Sequence, residues 1–150
     1  MAQSERMSQS TRTWAVSFDH AAIATRDPAK LKRVLEIIGL LDTGAEDVPS
    51  QGVKTHFLKP EQGQQTMVEI LEVTDPQGTV AKYLDKKGPG IHHVSFMATK
   101  LDALCEELKR QGVRLVYDSP RPGAHQTRVN FIHPESTGGI LIEVSEKEKA

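Results

Sequence analysis

The chain has 150 residues, with 19 basic and 20 acidic side chains that give a formal net charge of -1. This balance leaves no basic patch for nucleic acid or for an anionic membrane surface, so a small-molecule partner is the better expectation. No apolar run approaches the ~20 residues that cross a bilayer, and the N-terminus lacks the apolar core of a secretory signal, which predicts a soluble protein of the cytoplasm, or of the mitochondrial matrix in a eukaryote.

Residues 1–14 are polar and without periodicity, which predicts a flexible N-terminal tail. The remainder, residues 15–150, has room for a single domain with one shared core. The lone cysteine, Cys105, cannot form an internal disulfide, which fits a reducing compartment. Its apolar helical position predicts a buried packing residue rather than a nucleophile.

The first half opens with the alternating stretch FDHAAIAT, which predicts a strand, and continues into a helix. Asp27 is placed to cap this helix with Pro28 in its first turn, and Gly39 is placed to end it. The strands KTHFL and MVEIL follow. The helix should bury the apolar stripe formed by Leu31, Val34, Leu35 and Ile38.

Residues 76–89 connect the halves through TVAKYLDKKGPG, which predicts a short helix and then a Gly-Pro-Gly break. The second half repeats the order of the first: the strand HVSFM, a helix capped by Thr99 with Asp102 and ended by Gly112, then RLVYD, RVNFI and ILIEV as strands. The stripe of this second helix contains Leu101, Leu104, Cys105 and Leu108.

The two halves are therefore repeats, with module one at about 17–75 and module two at about 90–147. His93 follows His20 by 73 residues, and Glu143 follows Glu69 by 74. Side chains two apart in a strand share a face, which separates each glutamate from the apolar residues beside it. Each module is predicted to form one strand, one helix and about three further strands. A sheet of that size with one apolar face must pack against another layer of structure.

The repeated His and Glu positions are candidate metal ligands. A buried carboxylate needs solvent, a cation or a metal, and two imidazoles with two carboxylates suit a borderline divalent ion such as Co, Mn, Ni, Zn or Fe, with open positions for substrate. A lone strand histidine or glutamate is more often a solvated or hydrogen-bonded residue. Recurrence of both residue types at matched positions favours the metal interpretation for His20, Glu69, His93 and Glu143.

The other histidines have more ordinary interpretations. His92 neighbours a candidate ligand on one strand and should face away from it, which favours packing or surface exposure. His125 and His133 lie in Gly- and Pro-containing segments that predict loops.

Paired halves with His on the first strand and Glu on the last resemble the vicinal-oxygen-chelate superfamily. Within it, the chain is similar to the methylmalonyl-CoA epimerase family through FDHAAIA, PSQGVKTHFL, TVAKYL, GIHHVSF, GVRLVYDSPRPGA and NFIHPESTGGILIEV, over roughly residues 18–146. The resemblance implies an α+β fold in which paired βαβββ modules form a cupped mixed sheet. Whether the modules pair within one chain or across a dimer stays open.

The resemblance also implies a function: interconversion of (2R)- and (2S)-methylmalonyl-CoA through a metal-stabilised enolate, in a homodimer. Its ligands fall on His20, Glu69, His93 and Glu143. Glu143 is then both ligand and acid/base, and the group on the other face is Glu69, an activated water near Thr55, or an unassigned residue. The basic residues Lys54, Arg114, Arg121 and Arg128 are candidates for holding CoA phosphates, although solvated surface charge is the commoner role.

One position departs from the family pattern. At least one member has a glutamate, proposed as an acid/base, where this chain has Thr55, and a hydroxyl is a poor general base unless another group activates it. Alternative functions are a glyoxalase I type isomerase with the same four ligands, or a non-enzymatic small-molecule-binding protein of the same fold. A dioxygenase would leave the second glutamate without a purpose.

Overall fold

The structure is a computed structural model that describes residues 12–62 and 67–149; most of the predicted tail lies outside these residues. The chain divides into two compact units, one formed by Phe18–Ser95 and the other by the described residues before Phe18 together with those from Phe96 onward. The elements in chain order are β1 Val16–Ala24, α1 Pro28–Ile38, β2 Leu40–Val48, β3 Val53–Pro60, β4 Met67–Val73, α2 Thr79–Lys87, β5 Gly90–Ala98, α3 Leu101–Arg110, β6 Arg121–Pro122, β7 Thr127–Ile132 and β8 Ile142–Lys147.

The unit Phe18–Ser95 holds a mixed sheet in the order β2-β3-β4-β1-β5. β4 runs parallel to β1 and antiparallel to β3, which in turn is antiparallel to β2. Its core is built from strand residues with no or almost no exposed surface: Val53, Leu58, Ile70 and Leu71. From the connector, α2 adds Val80, Ala81 and Leu84 to the buried residues, whereas Tyr83 is half-buried.

Helix α1 confirms its predicted ends but not its predicted packing. Asp27 is the N-cap and accepts a hydrogen bond from the Lys30 amide at 3.1 Å, and Gly39 ends the helix with a φ of 122°. The expectation of a buried stripe is wrong, because no residue of α1 is buried and Ile38 is 68% exposed. Leu31 and Leu35 are half-buried, whereas Val34 is exposed like Ile38.

Strand β2 completes the three strands expected after the first helix, but the sequence did not identify its residues. Its sequence LLDTGAEDV is polar, and most of its residues are exposed, so it lacks the apolar alternation of a half-buried strand. Pairing with β3 holds it in place, with a register shift between Asp42 and Gly44. Gly44 has a φ of 124°, a conformation that glycine adopts without strain.

The second unit contains the strands β8-β7-β6 and helix α3. Leu101, Leu104 and Cys105 of α3 pack with Ala98 and Val144 in one apolar cluster, which confirms the predicted stripe. Trp14, the last residue of the predicted tail, packs against the same cluster. Cys105 is buried as predicted, and burial raises the pKa of its thiol, which keeps the thiol protonated.

The predicted capping of α3 by Thr99 is wrong. The helix begins at Leu101, and its N-cap residue Lys100 makes no side-chain capping bond. The Thr99 hydroxyl instead accepts a hydrogen bond from the Ala15 amide at 2.9 Å. A long-range partner for the hydroxyl therefore replaces the local one that sequence spacing suggested.

The segment RLVYD is not a full strand, in contrast to its prediction, because only Leu115 forms a bridge, to Ile132. The side chain of the fully buried Asn130 makes the hydrogen bonds that a paired strand would make. Its Oδ1 accepts from the Tyr117 amide at 3.1 Å, and its Nδ2 donates to the Tyr117 carbonyl at 3.0 Å. A side-chain amide satisfies these backbone groups in place of a neighbouring strand.

The order of elements confirms the predicted repeat. β1-α1-β2-β3-β4 and β5-α3-β6-β7-β8 are each a βαβββ module, and α2 lies in the connector between them. Among the described residues, no helix is both long enough and apolar enough to span a membrane.

Candidate metal centre

Three of the four predicted ligands lie on neighbouring strands of the unit Phe18–Ser95. His20 is on β1, Glu69 on β4 and His93 on β5, and β1 lies between the other two strands. All three side chains are buried, with exposed fractions of 5%, 6% and 3%. The parallel register of β1 and β4 sets Ala22 opposite Glu69, so the glutamate lies two residues along from His20.

The two histidines face each other through the same ring atom. Nε2 of His20 lies 3.2 Å from Nε2 of His93, and the rings meet edge to face with centroids 5.3 Å apart. Two nitrogen ligands at about 2.1 Å from one divalent ion lie roughly 3 Å apart, so this separation fits shared coordination.

The other nitrogen of His20 lies beside two carboxylates. Nδ1 is 2.7 Å from Oδ2 of Asp19 and 2.7 Å from Oε2 of Glu69. An ionised carboxylate only accepts hydrogen bonds, so Nδ1 carries a proton, and in a neutral ring Nε2 then keeps its lone pair. Glu69 therefore contacts the ring edge opposite the one that faces His93.

His92 was predicted to face away from His93, and this prediction is wrong. Nδ1 of His92 lies 2.9 Å from Nδ1 of His93, and the two rings are T-shaped at 5.2 Å. Burial lowers the pKa of His92 to about 4 and, with the neighbouring imidazoles, lowers the pKa of His93 well below its usual value. Both imidazoles are thus neutral near pH 7, and the neutral imidazole is the form that binds metal.

The fourth predicted ligand, Glu143, lies on β8 in the other compact unit. It is paired in register with Phe131 of β7 and is 7% exposed. A carboxylate buried to this extent needs a cation or hydrogen-bond donors. Its participation in the metal site belongs to the proposed function.

Thr55, which was expected to stand where at least one family member has a glutamate, is buried on β3. Its exposed fraction is 2%, and its register partners are Glu46 on β2 and Leu71 on β4. Nε2 of the next residue, His56, lies 2.7 Å from Oε2 of Glu72, within hydrogen-bond distance. Adjacent side chains of a strand point to opposite faces, so this contact lies on the other face from Thr55.

The basic residues considered for CoA phosphates divide into two groups. Arg114 pairs with Glu135 at 2.6 Å, and Arg128 pairs with Asp102 at 2.8 Å, so both guanidinium groups are engaged in ion pairs on the protein surface. The guanidinium of Arg121 lies 4.5 Å from the centre of the Tyr117 ring. Lys54 forms no ion pair with another of the described residues.

The two remaining histidines behave as predicted for loop residues. Nδ1 of His133 accepts from the Glu135 amide at 3.0 Å in a short 3-10 turn. His125 lies in another such turn with a φ of 54°, a left-handed conformation that is uncommon for a residue with a side chain. Neither residue joins the buried histidines.

The donor set of this unit fits a divalent ion. Asp19, His20 and Glu69 each offer a ligand atom, and these atoms lie within 4.8 Å of one another. The histidine pair adds nitrogen donors on the other ring edge. Imidazole and carboxylate groups are the ligand types that bind first-row transition metals.

Comparison with known proteins places the chain in a family. Residues 19–131 match the model of the Glyoxalase/Bleomycin resistance protein/Dioxygenase superfamily. The chain belongs to this superfamily. The resemblance to its methylmalonyl-CoA epimerases is confirmed as well: the mitochondrial methylmalonyl-CoA epimerase of Dictyostelium discoideum is 30% identical over 132 residues, which are 86% of this chain and 77% of the relative.

Solved structures of superfamily members agree with the fold. Methylmalonyl-CoA epimerase from Mycobacterium tuberculosis superposes with a TM-score of 0.82 at 35% identity and covers 88% of each chain. A variant of the Streptomyces coelicolor methylmalonyl-CoA epimerase, in complex with 2-nitronate-propionyl-CoA, has a TM-score of 0.80 at 31% identity over 88% of this chain and 97% of its own. The predicted α+β fold of the vicinal-oxygen-chelate type is thus confirmed.

Proposed function

We propose that this chain is a metal-dependent epimerase that interconverts (2R)- and (2S)-methylmalonyl-CoA. The observation that carries the proposal is the buried pair His20 and His93, with Nε2 atoms 3.2 Å apart, in a chain similar to methylmalonyl-CoA epimerases over most of its length. The complex of the Streptomyces coelicolor relative with an acyl-CoA analogue supports an acyl-CoA substrate.

The proposed ligands of the ion are His20, Glu69, His93 and Glu143. Neutral imidazoles and ionised carboxylates are the forms that bind Co, Mn, Ni or Zn. Burial lowers the pKa of His93 well below its usual value, so its imidazole is in the neutral form. When bound, a divalent ion would act as a Lewis acid toward the negative charge that develops on the thioester oxygen.

The protein's own groups then handle the proton. In the proposed step, Glu143 takes the proton from carbon 2, and the electron pair of the broken C–H bond moves into the thioester carbonyl to give an enolate. A proton returned to the opposite face of carbon 2 restores the C–H bond with inverted configuration. The proposed source of that proton is a water held near the hydroxyl of Thr55, or Glu69 after it has taken a proton from water. The hydroxide left behind then accepts the proton held by Glu143, which restores the starting state.

The assembly and location of the protein are separate predictions. A homodimer is implied by the family resemblance, and sedimentation velocity on the full chain would test it. A reducing compartment, cytoplasmic or the mitochondrial matrix, is supported by the single cysteine, which is buried.

The proposal is tested by giving the protein one pure epimer of methylmalonyl-CoA and separating the two CoA diastereomers by chromatography over time. We expect equilibration to both epimers, and loss of equilibration in His20→Ala and His93→Ala. The same protein with methylglyoxal and glutathione should form no lactoylglutathione. Turnover of that hemithioacetal without epimerisation would instead establish the glyoxalase I function.

A further inference from the structure

Each histidine of the buried pair is contacted at Nδ1 by the residue immediately before it in the chain. Asp19 reaches Nδ1 of His20 at 2.7 Å, and His92 reaches Nδ1 of His93 at 2.9 Å. We propose that Asp19 and His92 are positioning residues that hold the two rings with Nε2 unprotonated and directed at a shared divalent ion. This inference rests on the proposed function, since it presumes that His20 and His93 bind the ion.

The proton on His20 is fixed by the chemistry of its neighbours. Asp19 and Glu69 both present carboxylate oxygens at Nδ1, and carboxylates accept but do not donate. Nδ1 of His20 therefore carries a proton, and the neutral ring, which is the form that binds metal, has none on Nε2. Ligating histidines in metalloproteins are oriented by such second hydrogen bonds, which also raise the basicity of the ligating nitrogen.

The proton on His93 depends on His92, because two ring nitrogens in a hydrogen bond need one donor and one acceptor. If Nε2 of His93 binds metal, its proton lies on Nδ1 and is donated to Nδ1 of His92. His92 must then be the tautomer with its own proton on Nε2. The ring that accepts in this way is a neutral imidazole, in contrast to the carboxylate that serves His20.

The ring of His92 is itself held by the connector helix. The Tyr83 ring meets the His92 ring edge to face at 4.8 Å, and the Tyr83 hydroxyl donates to the Ile91 carbonyl at 3.0 Å. α2 therefore packs against the strand at the point where His92 turns toward His93. This contact gives the half-buried Tyr83 a role in orienting the site.

His20 and His93 differ in how strongly the orientation of the ring depends on the preceding residue. Nδ1 of His20 has Glu69 at the same distance as Asp19, so a second carboxylate can compensate for the loss of Asp19. Loss of a partner that orients a ligating histidine costs roughly 10–100-fold in metal affinity. We expect a loss in this range when His92 is replaced, and a smaller loss when Asp19 is replaced because Glu69 remains.

The decisive experiment is long-range proton–nitrogen NMR of the histidine rings in the wild-type protein, during titration with Zn²⁺. The inference requires that, with zinc bound, His93 carries its proton on Nδ1 and His92 carries its proton on Nε2. A His92 ring with its proton on Nδ1 in the zinc-bound protein would overturn the inference while leaving the proposed function intact. If zinc perturbed neither His20 nor His93, the metal site itself would be wrong, and the inference with it.

Variants give an independent measure of zinc and cobalt affinity by competition with a chelating dye. His92→Phe keeps a ring but removes the acceptor, and we expect roughly 10–100-fold weaker binding and an altered visible spectrum of bound Co²⁺. His92→Asn restores an acceptor near the position of Nδ1 and should recover most of the affinity. His133→Asn, on a loop of the other unit, is the matched control and should bind as wild type. Equal affinity of His92→Phe and wild type would contradict the inference, and the NMR titration decides it if that variant fails to fold.

Discussion

Thr55 occupies a position where a carboxylate would be the obvious acid/base. The side chain is 2% exposed, so little bulk solvent reaches it. A hydroxyl is a poor general base at neutral pH, but it can orient a water that donates a proton to the enolate. The proposed epimerase therefore has a carboxylate base, Glu143, on one face of carbon 2 and a less effective arrangement on the other.

Removal of the Thr55 hydroxyl should affect the two epimers unequally. Thr55→Val keeps the volume of the side chain, and we expect exchange of the carbon-2 proton to slow by about 10²-fold or more for one epimer, within the range of general acid–base catalysis. Glu143→Gln should slow exchange for the opposite epimer. NMR measurement of deuterium uptake from each pure epimer checks this, and an equal effect of Thr55→Val on both epimers would remove Thr55 from the mechanism.

At the residue scale, repetition made the ligand candidates visible in the sequence. His20 and His93 recur at matched positions, and so do Glu69 and Glu143, whereas single surface residues rarely recur in this way. Strand alternation argues that the residue beside a ligand points elsewhere, and so the same reasoning missed Asp19 and misjudged His92. The usable signal was that both preceding residues carry a side chain able to accept a hydrogen bond.

At the scale of elements, the segment after α3 depends on one side chain. Asn130 is fully buried, and it bonds both the amide and the carbonyl of Tyr117 and also accepts from the Phe131 amide at 2.8 Å. A single amide therefore replaces several ladder bonds, which explains why RLVYD is not a regular strand. Its apolar alternation alone could not reveal this.

Asn130→Ala should destabilise the protein by about 2–3 kcal/mol, because it removes the side-chain partner of the part-buried amide and carbonyl of Tyr117. Urea unfolding followed by circular dichroism measures the change. Gln77→Ala, at an exposed position, is the control and should stay within about 0.5 kcal/mol of wild type. A loss at Asn130 no larger than that of the control would show that the Tyr117 contacts contribute nothing.

The ion pair between α3 and β7 predicts a pH dependence. The bidentate hydrogen bond from Arg128 lowers the pKa of Asp102 below its unfolded value of 3.8. Because the folded-state pKa is the lower one, the stabilisation is present above pH 3.8 and is lost as pH falls through the folded value. Carbon-detected NMR titration should find a higher Asp102 pKa in Arg128→Gln, and an unchanged pKa would show that the pair is not formed in solution.

The helices show that local sequence features were sufficient to predict the ends of a helix but not its burial. The N-cap of α1 at Asp27 and its end at Gly39 followed from side-chain chemistry and backbone preference. The burial of its apolar stripe did not, because burial depends on what packs against a helix and not on the helix alone. The polar strand β2 was missed for a related reason, since its pairing with β3 decides its conformation.

For the whole molecule, the repeat was the strongest predictor. Two βαβββ modules were visible as paired motifs, and the observed order of elements and the superfamily membership confirm them. A repeat specifies the architecture but not the chemistry, because proteins of one fold catalyse different reactions. The chemistry proposed for this member of the superfamily is exchange of the proton next to a thioester with the help of a divalent ion.

The most direct test is proton exchange at carbon 2 of (2R)- or (2S)-methylmalonyl-CoA in D2O, followed by NMR, with protein stripped of metal and then reloaded with Co²⁺, Mn²⁺ or Zn²⁺. We predict that the stripped protein catalyses no exchange and that reloading restores deuterium incorporation with inversion. Full exchange by the stripped protein would contradict the metal dependence. The absence of exchange with every metal would contradict the epimerase function itself.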